Sequence, residues 1–357
     1  MYDLEAARKN VSPKDIATRE RSLWRYRELL PMFSDTAVVS LGEGWTPMLH
    51  ARKLGAELDL PHLYIKDEGM NPTGSFKARG LCLAVSKAKE LGIHEVSMPS
   101  AGNAGGALAA YAASAGMKAH VFVPRDTPTV NICEVSLYGG NMYLVDGVIS
   151  DAAKKMKEVQ IGKQWFDMST MKEPYRLEGK KTMGYEIAEQ FQWKLPDVII
   201  YPTGGGTGLI GMWKAFREME ELGWISDKRP RMIAIQPSKC APIVKAFHER
   251  KTESEFWQNA QTCASGLRVP KAFADTLILE ALYESKGTAV AVSDDEILAD
   301  MRHVANVEGM FLCPEGAATI SALRKLILGN QIDSSETIVI LNTGTGYKYV
   351  ELMQQAP

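Results

Sequence analysis

Lys77 lies in the run Asn71-Pro72-Thr73-Gly74-Ser75-Phe76-Lys77-Ala78-Arg79-Gly80, between a strand-like stretch, Leu63 to Asp67, and a helix-like stretch from Phe76 to Leu91. An amine held in such a place can attack a carbonyl. Pro72 and Gly74 mark a turn, Ser75 is placed to cap the helix, and Phe76 sets an aromatic face beside the side chain. A helix start and burial both favour the neutral amine, which is the form that a Schiff base needs. Read alone, the segment is equally compatible with a surface lysine that merely opens a helix.

Three further loops have complementary chemistry. Ser100-Ala101-Gly102-Asn103-Ala104-Gly105-Gly106 follows a strand-like Glu95 to Pro99 and opens a small-residue helix ending near Ala115. Its N–H groups can converge on an anion and the Asn103 amide can bond a ring hydroxyl or phenolate, although such helices also serve tight packing on a sheet. Thr203-Gly204-Gly205-Gly206-Thr207-Gly208 follows the apolar Asp197 to Tyr201 and precedes a helix from Leu209 to about Glu220. Consecutive glycines at a strand-to-helix turn aim several donors at one point and suit a phosphate, with a plain glycine turn as the alternative. The continuation Leu209-Ile210-Gly211 fits neither a dinucleotide fingerprint nor a P-loop. Leu341-Asn342-Thr343-Gly344-Thr345-Gly346 ends the strand-like Thr337 to Leu341, where the Thr343 hydroxyl can bond a neutral ring nitrogen or the glycines can simply close the strand.

Taken jointly, these residues meet four needs of pyridoxal 5'-phosphate. Lys77 offers an amine for the aldehyde, Asn103 an amide for the ring oxygen, Gly204, Gly205, Gly206, Thr207 and Gly208 a phosphate cradle, and Thr343 a hydroxyl for the pyridine nitrogen, with Phe76 beside the amine.

The elements that must position them alternate. Short apolar runs near Ala119 to Val123, Met142 to Val145, Asp197 to Tyr201, Arg231 to Gln236 and Thr337 to Leu341 are separated by helix-like runs, which predicts an α/β fold with buried parallel strands. An N-terminal helical stretch, about Pro13 to Leu30, leads to a strand-like Val38 to Leu41. Residues 81–168 can form a smaller α/β domain inserted into a larger one built from 1–80 and 169–357, with the site expected in the cleft between two doubly wound domains, at the carboxyl ends of strands. Glu253 to Ala264 is the least periodic region and reads as a mobile surface segment or an oligomer contact.

Composition narrows the function classes. With 357 residues, 45% hydrophobic and 24% charged, the chain can bury a large core. A net charge of -2 argues against nucleic acid as the main partner. No apolar run reaches membrane-spanning length and the N-terminus has no hydrophobic signal region, so a cytoplasmic protein acting on a small molecule is expected. The five cysteines are scattered, without C-x-x-C, which suits reduced thiols and no metal site. Cys313, beside Pro314-Glu315-Gly316, can line a site or simply fill a small buried space.

The ordered segments PTGSFKARG, SAGNAGG, TGGGTG and NTGTG resemble those of the fold-type II pyridoxal-phosphate enzymes, the tryptophan synthase β-subunit-like group, over Leu41 to Lys348. Within that group, Pro174-Tyr175-Arg176-Leu177-Glu178-Gly179-Lys180-Lys181-Thr182 resembles the P-x-R-x-E-G-x-K-T stretch of threonine synthases. The resemblance implies that Lys77 carries the cofactor and moves protons, and that Arg176 binds the phosphate of O-phosphohomoserine, for which a planar guanidinium fork is suited. Ser75, Ser100, Ala101, Gly102 and Thr182 are the further candidates for substrate contact. It also implies a lyase that eliminates phosphate and adds water, in a homodimer. The alternative for Arg176 is a surface salt bridge with Glu173 or Glu178. Gly42-Glu43-Gly44-Trp45-Thr46-Pro47 matches the G-E-G-x-T-P entry segment and reads mainly as structural. The chain departs from the threonine synthase pattern at Ala78, in its all-glycine TGGGTG, and at Thr170 and Met171, and it opens without the cysteine-rich segment of some relatives. A serine/threonine dehydratase-like ammonia-lyase is therefore the rival enzyme reading, and an inert pyridoxal-phosphate- or nucleotide-binding regulator the non-enzyme one.

Overall fold

Ten short strands, rich in Val, Ile and Ala, alternate with helices in the computed structural model, which describes residues 2–354. They are β1 (Met48–His50), β2 (Leu63–Asp67), β3 (Glu95–Pro99), β4 (Lys118–Pro124), β5 (Asn141–Val145), β6 (Phe166–Asp167), β7 (Val198–Pro202), β8 (Arg231–Pro237), β9 (Thr288–Val292) and β10 (Ile338–Asn342). Two sheets result, ordered β1-β2-β10-β7-β8-β9 and β5-β4-β3-β6, parallel throughout except for the antiparallel β1-β2 pair. The expected α/β class with buried parallel strands is what forms.

The chain divides into two compact units. The first comprises Met1–Arg19, Trp45–Met70 and Lys181–Pro357, and the second Glu20–Gly44 and Asn71–Lys180. The second unit is wider than the expected insert at 81–168, and the reason is chemical. Glu43 is fully buried there and accepts from Tyr111 Oη at 2.6 Å, Ser40 Oγ at 2.8 Å, Leu41 N at 2.9 Å, Cys82 Sγ at 3.0 Å and Trp24 Nε1 at 3.1 Å. One carboxylate thereby ties 20–44 to the helices Lys77–Glu90 and Asn103–Ala115. The structural reading of the Gly42 to Pro47 segment rests on this hub.

Each unit has its own core. In the first, Leu63, Ile65, Val198, Ile200, Ile233, Ile338 and Ile340 of the sheet pack on Ala317, Ile320 and Leu323 of the helix Pro314–Leu328. In the second, Val96, Met98, Val121 and Val123 pack against Leu81, Val85, Leu108 and Tyr111.

Two local expectations give way. Val38 to Leu41 is not a strand, because side chains take the backbone groups that a ladder would need: Ser86 Oγ accepts from Val39 N at 2.9 Å, and Glu43 accepts from Leu41 N. The N-terminal helical stretch breaks into Pro13–Ala17, with a Ser12/Asp15 capping box, and a 3-10 segment Leu23–Leu29 kinked at Tyr26. The irregular Glu253 to Ala264 is anchored, with Ser254 N and Oγ both donating to Asp275 Oδ2 at 2.7 Å and Thr262 Oγ1 to Asp294 Oδ1 at 2.6 Å.

Candidate active site

In the second unit the site begins where β3 and β6 end. These strands are neighbours, Val96 opposite Phe166 and Ser97 opposite Asp167, so the loop from Ser100 and the segment from Met168 leave the same edge of the sheet. Ser100 Oγ organises its loop by accepting from Gly105 N at 2.9 Å and Gly102 N at 3.4 Å while donating to Gly102 O at 2.9 Å. Its expected role toward substrate is thus overlaid by a structural one. Asn103 is the first residue of the helix Asn103–Ala115, preceded by Ala101 and Gly102, all partly exposed.

Lys77 is the first residue of the helix Lys77–Glu90. The cap residue is Phe76 rather than Ser75, although Ser75 Oγ accepts from Lys77 N at 3.4 Å. The turn before it closes through Gly74 N to Asn71 O at 2.7 Å, with Gly74 in the left-handed region at φ 63°. Lys77 Nζ sits 3.9 Å from the centroid of the Phe76 ring, as the sequence suggested.

The arginine segment corrects one reading. Arg176 is 3% exposed and lies on no surface. Its Nη1 donates to Met168 O at 2.6 Å and Thr170 Oγ1 at 3.4 Å, while Nε is buried and has no partner among the described residues. Glu173 does not pair with the guanidinium; its Oε2 accepts the Arg176 backbone N–H at 3.0 Å, and its Oε1 is buried without a partner among the described residues. Burial pushes the Glu173 carboxyl up, against the pull of Arg176. Met171, just upstream, occupies the left-handed region at φ 64°, an uncommon conformation for such a side chain. Thr182, on the same helix Tyr175–Gln190, is buried and falls in the first unit.

The first unit contributes the other groups. β7 and β10 are adjacent and parallel, so the loop Thr203 to Gly208 and Thr343 emerge at the same carboxyl edge of the sheet. The helix Thr207–Glu221 takes in Thr207 and Gly208, two residues earlier than expected. Among the described residues no group accepts the N–H of Gly204, Gly205 or Gly206, which leaves donors at the head of a long helix for an anion. The glycines are also demanded by packing: a Cβ at Gly204 would strike the Gly266 carbonyl, at Gly206 the Ile278 side chain, and at Gly208 the Tyr201 ring and hydroxyl. Gln236 Nε2 fixes the loop's start through Thr203 O at 3.1 Å. Thr343 is buried, with Oγ1 3.8 Å from Cys313 Sγ, and that sulfur accepts from Gly316 N at 3.3 Å. Cys313 thus both neighbours Thr343 and caps a helix.

The chain belongs to the family of pyridoxal-phosphate dependent enzymes. That family's model matches residues 39–344. Among its members, a threonine synthase of Methanocaldococcus jannaschii is 38% identical over 349 residues, covering 98% of this chain and 86% of the relative. A threonine synthase of Mycobacterium tuberculosis is 34% identical over 324 residues, 90% of this chain and 87% of the relative. Solved structures of the family share the fold: threonine deaminase isoform 2 from Solanum lycopersicum has a TM-score of 0.74 at 23% identity, covering 94% of this chain and 93% of its own. The diaminopropionate ammonia lyase of Escherichia coli has a TM-score of 0.76 at 16% identity, with 91% and 92% covered. The fold is that of the fold-type II enzymes.

Within the first unit, the open N–H groups of Gly204 to Gly206 and the buried Thr343 hydroxyl are hydrogen-bonding groups, and within the second the Lys77 amine lies against an aromatic ring. Two further residues were not singled out by sequence. Lys180, in the second unit, lies four residues after Arg176, a helical spacing that would have flagged it. Glu315 is buried in the first unit, where its Oε1 accepts from Gly266 N at 2.8 Å and Tyr349 Oη at 3.0 Å and so fixes the wall behind Gly204. No local pattern announces it.

Proposed function

We infer that this chain is a pyridoxal-phosphate-dependent threonine synthase, a carbon–oxygen lyase that converts O-phospho-L-homoserine and water to L-threonine and phosphate. The observation that carries the reading is Arg176: a buried guanidinium whose Nε has no protein partner among the described residues, in the unit that holds Lys77 and in a chain 38% identical to a threonine synthase. A phosphoryl oxygen is the acceptor that such a donor suits.

In this reading Lys77 would form the covalent link to the cofactor, Asn103 would bond its ring oxygen, Gly204 to Gly208 would take its phosphate and Thr343 would meet its ring nitrogen. Bound pyridoxal phosphate supplies a sink for negative charge at the substrate's α-carbon. The rest falls to the chain. The Lys77 amine would remove the α-proton and return it. Arg176 holds the γ-phosphoryl group, which departs as phosphate with the electrons of its carbon–oxygen bond after a β-proton is lost. The γ-carbon takes up a proton to become the methyl group, water adds its hydroxyl at the β-carbon while its other proton ends on the phosphate, and the α-carbon regains its proton. A hydroxyl at the ring nitrogen, Thr343, donates or accepts a hydrogen bond without protonating it, which moderates the sink and favours elimination.

In this reading the enzyme works in threonine biosynthesis, in the cytoplasm and as a homodimer; separately, no helix among the described residues is long and apolar enough to cross a membrane. Purified protein should show the cofactor's visible absorbance and release phosphate and threonine together from O-phosphohomoserine. Lys77→Ala should abolish the band and the turnover. Threonine giving 2-oxobutyrate while O-phosphohomoserine stays inert would overturn the reading in favour of an ammonia-lyase.

A further inference from the structure

The helices Lys77–Glu90 and Tyr175–Gln190 meet at glycines. A Cβ at Gly80 would lie 2.7 Å from Arg176 O and 3.0 Å from Lys180 Cε, and one at Gly179 would strike Arg79 O, so neither backbone could approach if these residues were larger. The close approach carries Lys180 into the ground occupied by Lys77. Both amines lie against one ring: Lys77 Nζ is 3.9 Å and Lys180 Nζ 5.4 Å from the centroid of Phe76. Arg176 is one helical turn before Lys180, on the same face.

This places three cationic side chains near one another, Arg176 and Lys180 buried and Lys77 partly exposed. Lys180 is 1% exposed, and the charged groups acting on it are Arg176 and Lys77, which disfavour its charge, and Glu173, which favours it. Asp167 acts in turn on Arg176. Burial, Arg176 and Lys77 hold the Lys180 ammonium well below the usual lysine range. A methionine would fill that volume without the electrostatic cost, so filling space does not by itself call for a lysine. A dianion does, since it would offset two of the charges and meet the Arg176 Nε donor.

We propose that Lys180 is the second cation of a phosphoryl subsite, paired with Arg176, and that it sets the preference for a phosphorylated amino acid. This rests on the threonine synthase reading above. Lys180 contacts the phosphoryl oxygens that leave, while Lys77 handles the carbon-bound protons.

The test compares wild-type holoenzyme with Lys180→Met and, in parallel, Lys180→Gln and the charge-retaining Lys180→Arg. Two quantities are read: steady-state constants with O-phosphohomoserine, and the Kd of inorganic phosphate by calorimetry. Loss of the charge should raise both KM and the phosphate Kd by about tenfold or more, with a smaller loss in kcat, and Lys180→Arg should recover most of the phosphate affinity. A wild-type enzyme that turns over O-phosphohomoserine while Lys180→Met and Lys180→Gln leave KM and the phosphate Kd within about twofold overturns the proposal alone. Failure of the wild type to bind phosphate overturns it without any variant, which covers the case in which Lys180→Met does not fold. A wild type inert toward O-phosphohomoserine overturns the parent reading and the substrate role of Lys180 with it.

Discussion

At Gly208 the same residue satisfies two demands that sequence cannot separate. Its place in a glycine run after a strand suggests a phosphate cradle, and the open N–H groups of Gly204 to Gly206 agree. Yet the space a side chain would need at Gly208 is held by the buried Tyr201, and at Gly204 by a backbone carbonyl of Gly266. Gly208→Ala should therefore destabilise the protein by about 1–3 kcal/mol through overpacking, before any effect on the cofactor. Combining it with Tyr201→Leu, which withdraws the ring and hydroxyl, should give less destabilisation than the sum of the two single changes in a double-mutant cycle. Additive losses in urea denaturation would leave the cradle as the only reason for that glycine. Lys77 and Arg176 were conspicuous in the sequence for a different reason: residue type and a short motif suggest a chemistry for each. Lys180 was not, because its meaning depends on two helices meeting at Gly80 and Gly179, which no linear pattern records.

Among the elements, most strands were legible because a buried parallel strand is a short apolar run bounded by turns, and β2 and β3 form at the expected residues. β1, of three residues, and β6, of two, escape because neither is long enough to show a period. Val38 to Leu41 fails in the opposite sense: it is apolar enough for a strand, but Ser86 and Glu43 claim its backbone groups first. Glu43 is the element-scale keystone, since its carboxylate accepts from the 20–44 segment and from the two helices that open at Lys77 and Asn103. Glu43→Ala would strand the Tyr111 hydroxyl in a buried setting, at a cost of about 1–3 kcal/mol. Glu43→Gln, which keeps acceptor oxygen, should lose less. The order of the two urea midpoints, followed by Trp24 fluorescence, checks this; equal midpoints would show that the carboxylate is not what holds the segment.

For the whole molecule, the chain passes from one unit to the other at 19/20, 44/45, 70/71 and 180/181, and the proposed roles are divided in the same way. Lys77, Asn103, Arg176 and Lys180 belong to the second unit, and Gly204 to Gly208 with Thr343 to the first. A ligand stabilises whatever it binds in the folded state, in proportion to the logarithm of its excess over Kd. If pyridoxal phosphate uses both sets of residues, removing it should lower Tm, and restoring it should slow amide exchange in both units, at 74–80 and 100–106 and also at 203–208 and 343–346. Lys77→Ala cuts the covalent link but leaves the phosphate donors, so in that variant added cofactor should still protect 203–208, at higher concentration. Protection confined to the second unit in the wild type would detach the glycine loop from the cofactor, and the demands of Tyr201, Gly266 and Ile278 would then be the whole explanation of its glycines.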